Sequence, residues 1–164
     1  MQMKHFFIAL ALTMGSVSRL CAATTATATV TYTIGSVDAI TVSGNPGPLN
    51  VTTATAGSAL TSATDSTTFY SLTTNNTSRK ITAAVASAMP TGVTLSVSAL
   101  ATGVGTSAGA VTLTTTAASL VTGISPVAAA GSLVTTGLTY TLAATVSATQ
   151  VAGATNTVTY TIGP

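Results

Sequence analysis

The sequence of 164 residues has few of the side chains that commonly carry chemistry. It contains no Trp and no Glu, a single Cys (Cys21), a single His (His5), and two carboxylates, Asp38 and Asp65. General acid–base catalysis at neutral pH relies on His or paired carboxylates, and metal sites use His, Cys or several carboxylates. Asp38 and Asp65 lie apart among Ser, Thr and Val, which favours turn or edge positions. We therefore expect no enzyme activity, no cofactor and no metal.

The first 23 residues are organised like an export signal. Lys4 lies in a short polar opening, and the apolar run 6–12 follows it and gives way to polar residues from Gly15 onward. A membrane-spanning helix needs about 20 apolar residues, so this run is too short to span. We expect residues 1–23 to be a cleaved signal peptide that leaves no membrane span after processing.

The small residues Cys21 and Ala23 suit a cleavage site just before residue 24, and a cut after Ala22 is the alternative. Reading Cys21 as a lipidated first residue is less favourable, because the bulky Leu20 precedes it. The predicted mature chain, residues 24–164, is thus exported by the general secretory route to the periplasm, the cell surface or the exterior.

Loss of the signal would leave four charged residues: Asp38, Asp65, Arg79 and Lys80. Two cations against two carboxylates give a formal net charge of zero, and one basic pair cannot supply the phosphate contacts of a nucleic-acid surface. Nucleic acid is therefore excluded as a partner. No Cys would remain for a disulfide, so the domain must be held together by core burial.

Strict alternation of Thr with apolar residues marks the segment 24–34. Its even positions from Ala26 onward are apolar and its odd positions are Thr. A period of two places one set on each face of a strand. We therefore predict a β-strand here, and it presents Ala28, Val30, Tyr32 and Ile34 on one face.

Further alternating or β-rich runs, separated by Gly, Pro and Asn, indicate an all-β fold. They lie at 40–42, 49–51, 68–72, 81–85, 93–97, 111–115, 138–146 and 157–162. This pattern predicts a single domain over 24–164, an Ig-like antiparallel β-sandwich of about seven to nine strands. The predicted core consists of Val30, Tyr32, Ile34, Ile81, Val93, Leu95, Val97, Leu138, Tyr140, Leu142, Val158, Tyr160 and Ile162.

Turn residues predict two hairpins. Asn75-Asn76 would centre one that pairs Leu72 with Ile81, and Gln150–Gly153 would connect the last two strands. Arg79 and Lys80 beside the first turn are expected to be solvated edge charges. The loop 102–110, with three glycines, is expected to be flexible.

The heptapeptide Thr-Val-Thr-Tyr-Thr-Ile-Gly occurs twice, at residues 29–35 and 157–163. One explanation is composition, since these residues favour strands. The other is that both ends of the chain occupy equivalent places in a sheet. No repeat of 20 to 50 residues appears, which argues against a solenoid or propeller.

The predicted features are an export signal, an alternating strand at 28–34, a series of short strands and a terminal strand ending Tyr160-Thr161-Ile162. In these features the chain resembles secreted β-sandwich subunits of bacterial surface fibres and coats. That group includes chaperone–usher pilins and spore-coat-U-like proteins. The resemblance implies a structural role at the cell surface, with an export or assembly chaperone as a candidate partner. Many pilins of the group carry a disulfide, which residues 24–164 lack.

The expected function is therefore a fibre or coat subunit that forms a homo-oligomer by β-strand addition. Residues 24–34 would be the donor strand, with Gly35 as a hinge, and the acceptor edge of the neighbour would consist of Val158, Tyr160 and Ile162. Two alternatives remain open. The strand at 24–34 pairs within its own chain, or the protein is a secreted monomeric Ig-like binding or adhesion module that uses loops such as 102–110.

Overall fold

The computed structural model describes residues 25–164, which form an all-β domain of ten strands without helix. The all-β fold class is thereby confirmed. The predicted signal peptide, residues 1–23, and Thr24 lie outside the described residues. The strands are β1 (Asp38–Val42), β2 (Ala63–Thr74), β3 (Arg79–Val85), β4 (Val93–Ala99), β5 (Thr106–Ser107), β6 (Ala110–Thr112), β7 (Ala118–Ile124), β8 (Val127–Ala129), β9 (Gly137–Ala144) and β10 (Val158–Gly163).

The strands form two antiparallel sheets. The first has the order β1-β2-β9-β4-β6, and β8 also pairs with β2. The second has the order β10-β3-β7-β5. Because β1 and β10 each end their sheet, the first and last strands of the described chain are both edge strands.

Alternation along β4 and β9 positions the core. Leu95 and Val97 are buried whereas Thr94 is exposed, and Val97 lies opposite Tyr140 in the adjacent strand β9. This is the face that the period of two predicts. Residues of both sheets form one buried cluster, whose fully buried larger side chains include Tyr70, Val97 and Leu138 from the first sheet and Ile81, Leu120 and Ile124 from the second.

The two ends of the domain carry different segments. We call one of them the Asn75 end. Strands β1 and β3 begin there, with the first residue of β1 opposite Thr74, and β10 ends there with Gly163 opposite Lys80. At the other end, the Met89 end, β4 begins and Val158 opens β10 opposite Val85. The chain therefore enters β1 and leaves β10 at the same end.

Hydrogen bonds close one side of the domain between the two sheets. Ser107 Oγ of β5 donates to the carbonyl of Ala99 in β4 at 2.6 Å. Beyond β6, the Leu113 N–H binds the Leu95 carbonyl at 2.9 Å, and the next carbonyl, of Thr114, accepts from Val85 of β3 at 3.0 Å. On the opposite side lie the edges β1 and β10.

Both predicted hairpins are wrong. Leu72 pairs with Ile40 of β1 and Ile81 pairs with Ile162 of β10, because β2 and β3 belong to different sheets. The residues around Asn75 therefore connect the sheets rather than close a hairpin. The same holds for β9 and β10, so the loop containing Gln150–Gly153 is also a connection between sheets.

Several strand and core predictions also need correction. Residues 25–37 and 49–51 form no strand, whereas β7 at Ala118–Ile124 was not predicted and its Leu120 and Val121 are fully buried. The loop 102–110 contains β5 and the first residue of β6. Val30, Tyr32 and Ile34 are exposed rather than buried, while Val93, Leu142 and the three inward residues of β10 are half-buried.

Candidate assembly surfaces

The predicted donor residues lie in an exposed segment without regular secondary structure. The exposed fractions of Val30, Tyr32 and Ile34 are 77%, 80% and 81%, and Ala28 is exposed as well. An isolated strand gains no backbone hydrogen bonds until it meets a sheet edge, so strand-forming composition alone does not order it. The segment therefore presents a row of large apolar side chains to solvent.

Asn75 and Asn76 hold the chain where this segment joins β1. Asn75 Nδ2 donates to the Gly35 carbonyl at 2.7 Å, and its Oδ1 accepts from the Val37 N–H at 2.8 Å. Asn76 Nδ2 donates to the Val37 carbonyl at 3.1 Å. Gly35 has no positive φ, and a Cβ there would meet nothing within 4 Å, so the backbone conformation does not require glycine.

Asp38, the first residue of β1, accepts hydrogen bonds from three side chains beside this attachment. Thr74 Oγ1 donates to its Oδ1 at 2.6 Å and Asn76 Nδ2 at 3.0 Å, while Arg79 Nε lies 3.0 Å from Oδ2. The Thr74 and Asn76 bonds, with the Arg79 charge, hold the pKa of Asp38 below its ordinary value. Arg79 is thus paired rather than freely solvated, and Asp38 takes an edge position as predicted.

The predicted acceptor residues come together on one face of the edge strand β10. Val158, Tyr160 and Ile162 point towards the core yet remain half-buried, while Thr159 and Thr161 on the other face are exposed. The strand β3 pairs with one edge of β10, and within residues 25–164 no strand pairs with the other. That edge therefore offers unpaired backbone groups beside partly uncovered apolar side chains.

A hydrogen bond between tyrosines ties β10 to the first sheet. The Tyr160 hydroxyl donates to the Tyr140 hydroxyl at 2.8 Å. Burial, and then the bond with Tyr140, raises the pKa of Tyr160. The bond to Tyr140 orients the half-buried Tyr160 ring.

The edge strand β1 of the other sheet has the same character as β10. Its inward residues Ile40 and Val42 are half-buried, and the two strands lie in contact. The side of the domain that carries both edges is therefore less completely covered than the side closed by β5 and the segment after β6. Sequence reasoning identified β10 as an edge strand but not β1, because alternation along a strand does not reveal the order of strands across a sheet.

Two clefts on the part of the chain that the structure describes are shallow, and no titratable side chain lines either of them. One, of about 410 Å³, lies over β1, β2 and β8 and is lined largely by Ala, Ser and Thr. The other, of about 270 Å³, lies at the Met89 end. Among residues 25–164 no group of three His, Cys, Asp or Glu side chains is placed to hold a metal ion. The Ser and Thr hydroxyls of these clefts have no titratable side chain in the lining to act as a base.

Within the described part of the chain no helix is long and apolar enough to cross a membrane. Comparison of the chain with protein-family models, with curated proteins and with solved structures finds no match.

Proposed function

We propose that this chain is a non-enzymatic structural subunit of an extracellular or cell-surface fibre or coat, and that it assembles by β-strand donation. The observation that carries the proposal is a complementary pair of surfaces. Residues 25–34 expose an alternating apolar row, and the inward side chains of the edge strand β10 are only half covered. We further propose that its two sheets form an Ig-like β-sandwich.

Burial of the donor row would supply the driving force for association. Val30, Tyr32 and Ile34 are each more than three-quarters exposed in the single chain. Removing such side chains from water is worth roughly 1.5–3 kcal/mol each before ordering costs are subtracted. Addition to the free edge of β10 also satisfies its unpaired backbone groups, so main-chain hydrogen bonds would add to the apolar contacts.

The position of the attachment point would decide the form of the assembly. The donor segment joins its own domain at the Asn75 end, and β10 runs from the Met89 end to the Asn75 end. A donor antiparallel to β10 would emerge at the Met89 end of the acceptor. The Asn75 end of one subunit would then meet the Met89 end of the next, and such a head-to-tail contact generates an open filament.

Paired substitutions on the two faces of the donor segment test this function. In Val30→Asp/Ile34→Asp the apolar row is interrupted, whereas the matched control Thr31→Asp/Thr33→Asp adds the same charge to the opposite face. All four residues are exposed in the single chain, so neither variant should destabilise the monomer. We expect loss of assembly in the first variant and retention in the second, measured by sedimentation velocity and electron microscopy of residues 24–164.

Deletion of residues 24–34 provides an independent test. The shortened domain should remain folded and monomeric, and it should bind a synthetic peptide of residues 24–34 with slower hydrogen exchange along β10. A full mature chain that stays monomeric at high concentration would contradict the proposal. It would favour the alternative, a secreted binding or adhesion module.

Export is part of the same proposal. The signal-like residues 1–23 would bring the chain through the secretory route to the periplasm, cell surface or exterior. A chaperone that covers the donor row until assembly is the expected transient partner, because an exposed apolar strand invites premature association. Expression of the full chain in a secreting host, with the mature N-terminus sequenced, tests cleavage before Thr24.

A further inference from the structure

The two copies of the heptapeptide are in different environments. Residues 157–163 contain the six residues of β10, which pair with β3, whereas residues 29–35 form no strand. We call the position along the outer edge of β3 that β10 occupies the β3 slot. A slot of this kind recognises a strand by its backbone hydrogen-bonding groups and by its alternate side chains. The two copies have the same sequence, so either could present these groups as a strand.

Each side chain that β10 places in the slot has an equivalent in the N-terminal copy. Val158, Tyr160 and Ile162 pack against the core from β10. Val30, Tyr32 and Ile34 are the same three amino acids at the same spacing as in β10. Tyr32 can therefore take the place of Tyr160 and donate to the Tyr140 hydroxyl.

The connection to β1 is long enough for the N-terminal copy to enter the slot of its own chain. In the slot the heptapeptide ends opposite Lys80, at the Asn75 end, where β1 begins. Arg79, next to Lys80, lies 3.0 Å from the Asp38 carboxylate, and β10 is in contact with β1. Three residues from Gly35 to Asp38 span up to about 10 Å, which suffices for adjacent edge strands.

We infer that the β3 slot is an exchange site that accepts either heptapeptide. In one state β10 fills the slot and residues 29–35 form no strand, as in the structure. In the other state residues 29–35 fill the slot and residues 157–163 are released. This inference goes beyond the proposed function and does not depend on it. If the chain does assemble, either terminus can be the donor, and the occupant is a second copy of this chain.

The residue that precedes each heptapeptide sets the balance between the states. Asn156 precedes β10, donates from Nδ2 to the Ser87 carbonyl at 2.7 Å and accepts from the Ser87 N–H at 3.2 Å. Ala28 precedes the N-terminal copy and has no side chain that can replace these bonds. The Asn156 bonds therefore favour the state with β10 in the slot.

Hydrogen exchange of the dilute mature chain tests this inference. In Val158→Asp/Ile162→Asp the charges should expel β10, since both residues face the core. Exchange of the amides in 29–35 should then slow at least about tenfold, and exchange in 157–163 should accelerate by a similar factor. The matched control Thr159→Asp/Thr161→Asp, on the exposed face, should leave both segments as in the unsubstituted chain.

Substitution of both copies completes the design. Val30→Asp/Ile34→Asp alone should leave 157–163 protected, and all four substitutions together should leave both segments unprotected. The inference is overturned if Val158→Asp/Ile162→Asp unfolds the domain, or leaves residues 29–35 unprotected. Because these measurements are made on monomers, a failure to form fibres would refute the proposed function without changing their outcome.

Discussion

The Tyr160 hydroxyl donates a 2.8 Å hydrogen bond to the Tyr140 hydroxyl and so joins an edge strand of the second sheet to the middle strand of the first. We expect Tyr140→Phe to lower the free energy of unfolding by about 0.5–1.5 kcal/mol, because the half-buried Tyr160 hydroxyl loses its acceptor. Urea denaturation measures this change. The control Tyr32→Phe alters a side chain that is 80% exposed and should change stability little. Equal effects would mean that the interaction between the tyrosines contributes nothing.

Buried Tyr70 predicts a loss of stability in alkali. Burial raises its pKa from 10.0 to about 12, and its hydroxyl donates to the Leu100 carbonyl at 2.7 Å. A raised folded-state pKa stabilises the domain fully below the unfolded value, and this contribution is lost as pH rises through the folded value. The urea midpoint should therefore fall between about pH 10 and 12. In Tyr70→Phe the fall should be shallower, and an unchanged alkaline slope would exclude Tyr70 as its source.

Asp38 predicts the opposite dependence in acid. The hydrogen bonds from Thr74 and Asn76, with the Arg79 charge, lower its pKa from the ordinary 3.8. A depressed folded-state pKa contributes stability above the unfolded value, and this is lost as pH falls through the folded value. Asp38→Asn should therefore lower the thermal midpoint at neutral pH and reduce its decline below about pH 4. Identical acid profiles for the two proteins would contradict this prediction.

The sequence was most informative where a strand lies in the middle of a sheet. Alternation along β4 and β9 correctly identified Leu95, Val97, Leu138 and Tyr140 as core residues, because each strand is fixed on both edges and buries one face. At the edge strand β10 the inward face was predicted correctly but its burial was overestimated. An edge strand lacks a neighbour on one side, and its side chains remain half-buried.

Pairing between strands was beyond what alternation can predict. The period of two reveals which side chains share a face but not which strand lies alongside. Proximity in sequence suggested that Leu72 pairs with Ile81, yet the short connection at Asn75 crosses to the other sheet. Strand β7 was not predicted because its consecutive residues Leu120 and Val121 are both buried, which breaks the alternation. The pairing of β7 with β3 is irregular at the same place.

The duplicated heptapeptide shows the limit of local sequence as a predictor. Residues 158–163 form a strand. Residues 29–35 contain the same six-residue sequence but form no strand. The difference lies in what each copy can pair with, since a strand is stable only against a partner edge. The anchoring roles of Asn75, Asn76 and Asn156 were likewise hidden, because each bonds a segment at least 38 positions away.

The assignment of faces on β4 gives the final prediction. Leu95 is 7% exposed within the shared core, while the adjacent Thr94 is exposed on the outer face. We expect Leu95→Ala to lower the free energy of unfolding by about 2–5 kcal/mol, because the substitution removes buried methyl groups and leaves a cavity between the sheets. Thr94→Ala, the matched control one position away, should change it by less than about 0.5 kcal/mol. Urea unfolding of both variants, with an unchanged dependence on denaturant concentration, measures the difference directly. If the two costs are equal, the inner and outer faces of this sheet have been assigned wrongly.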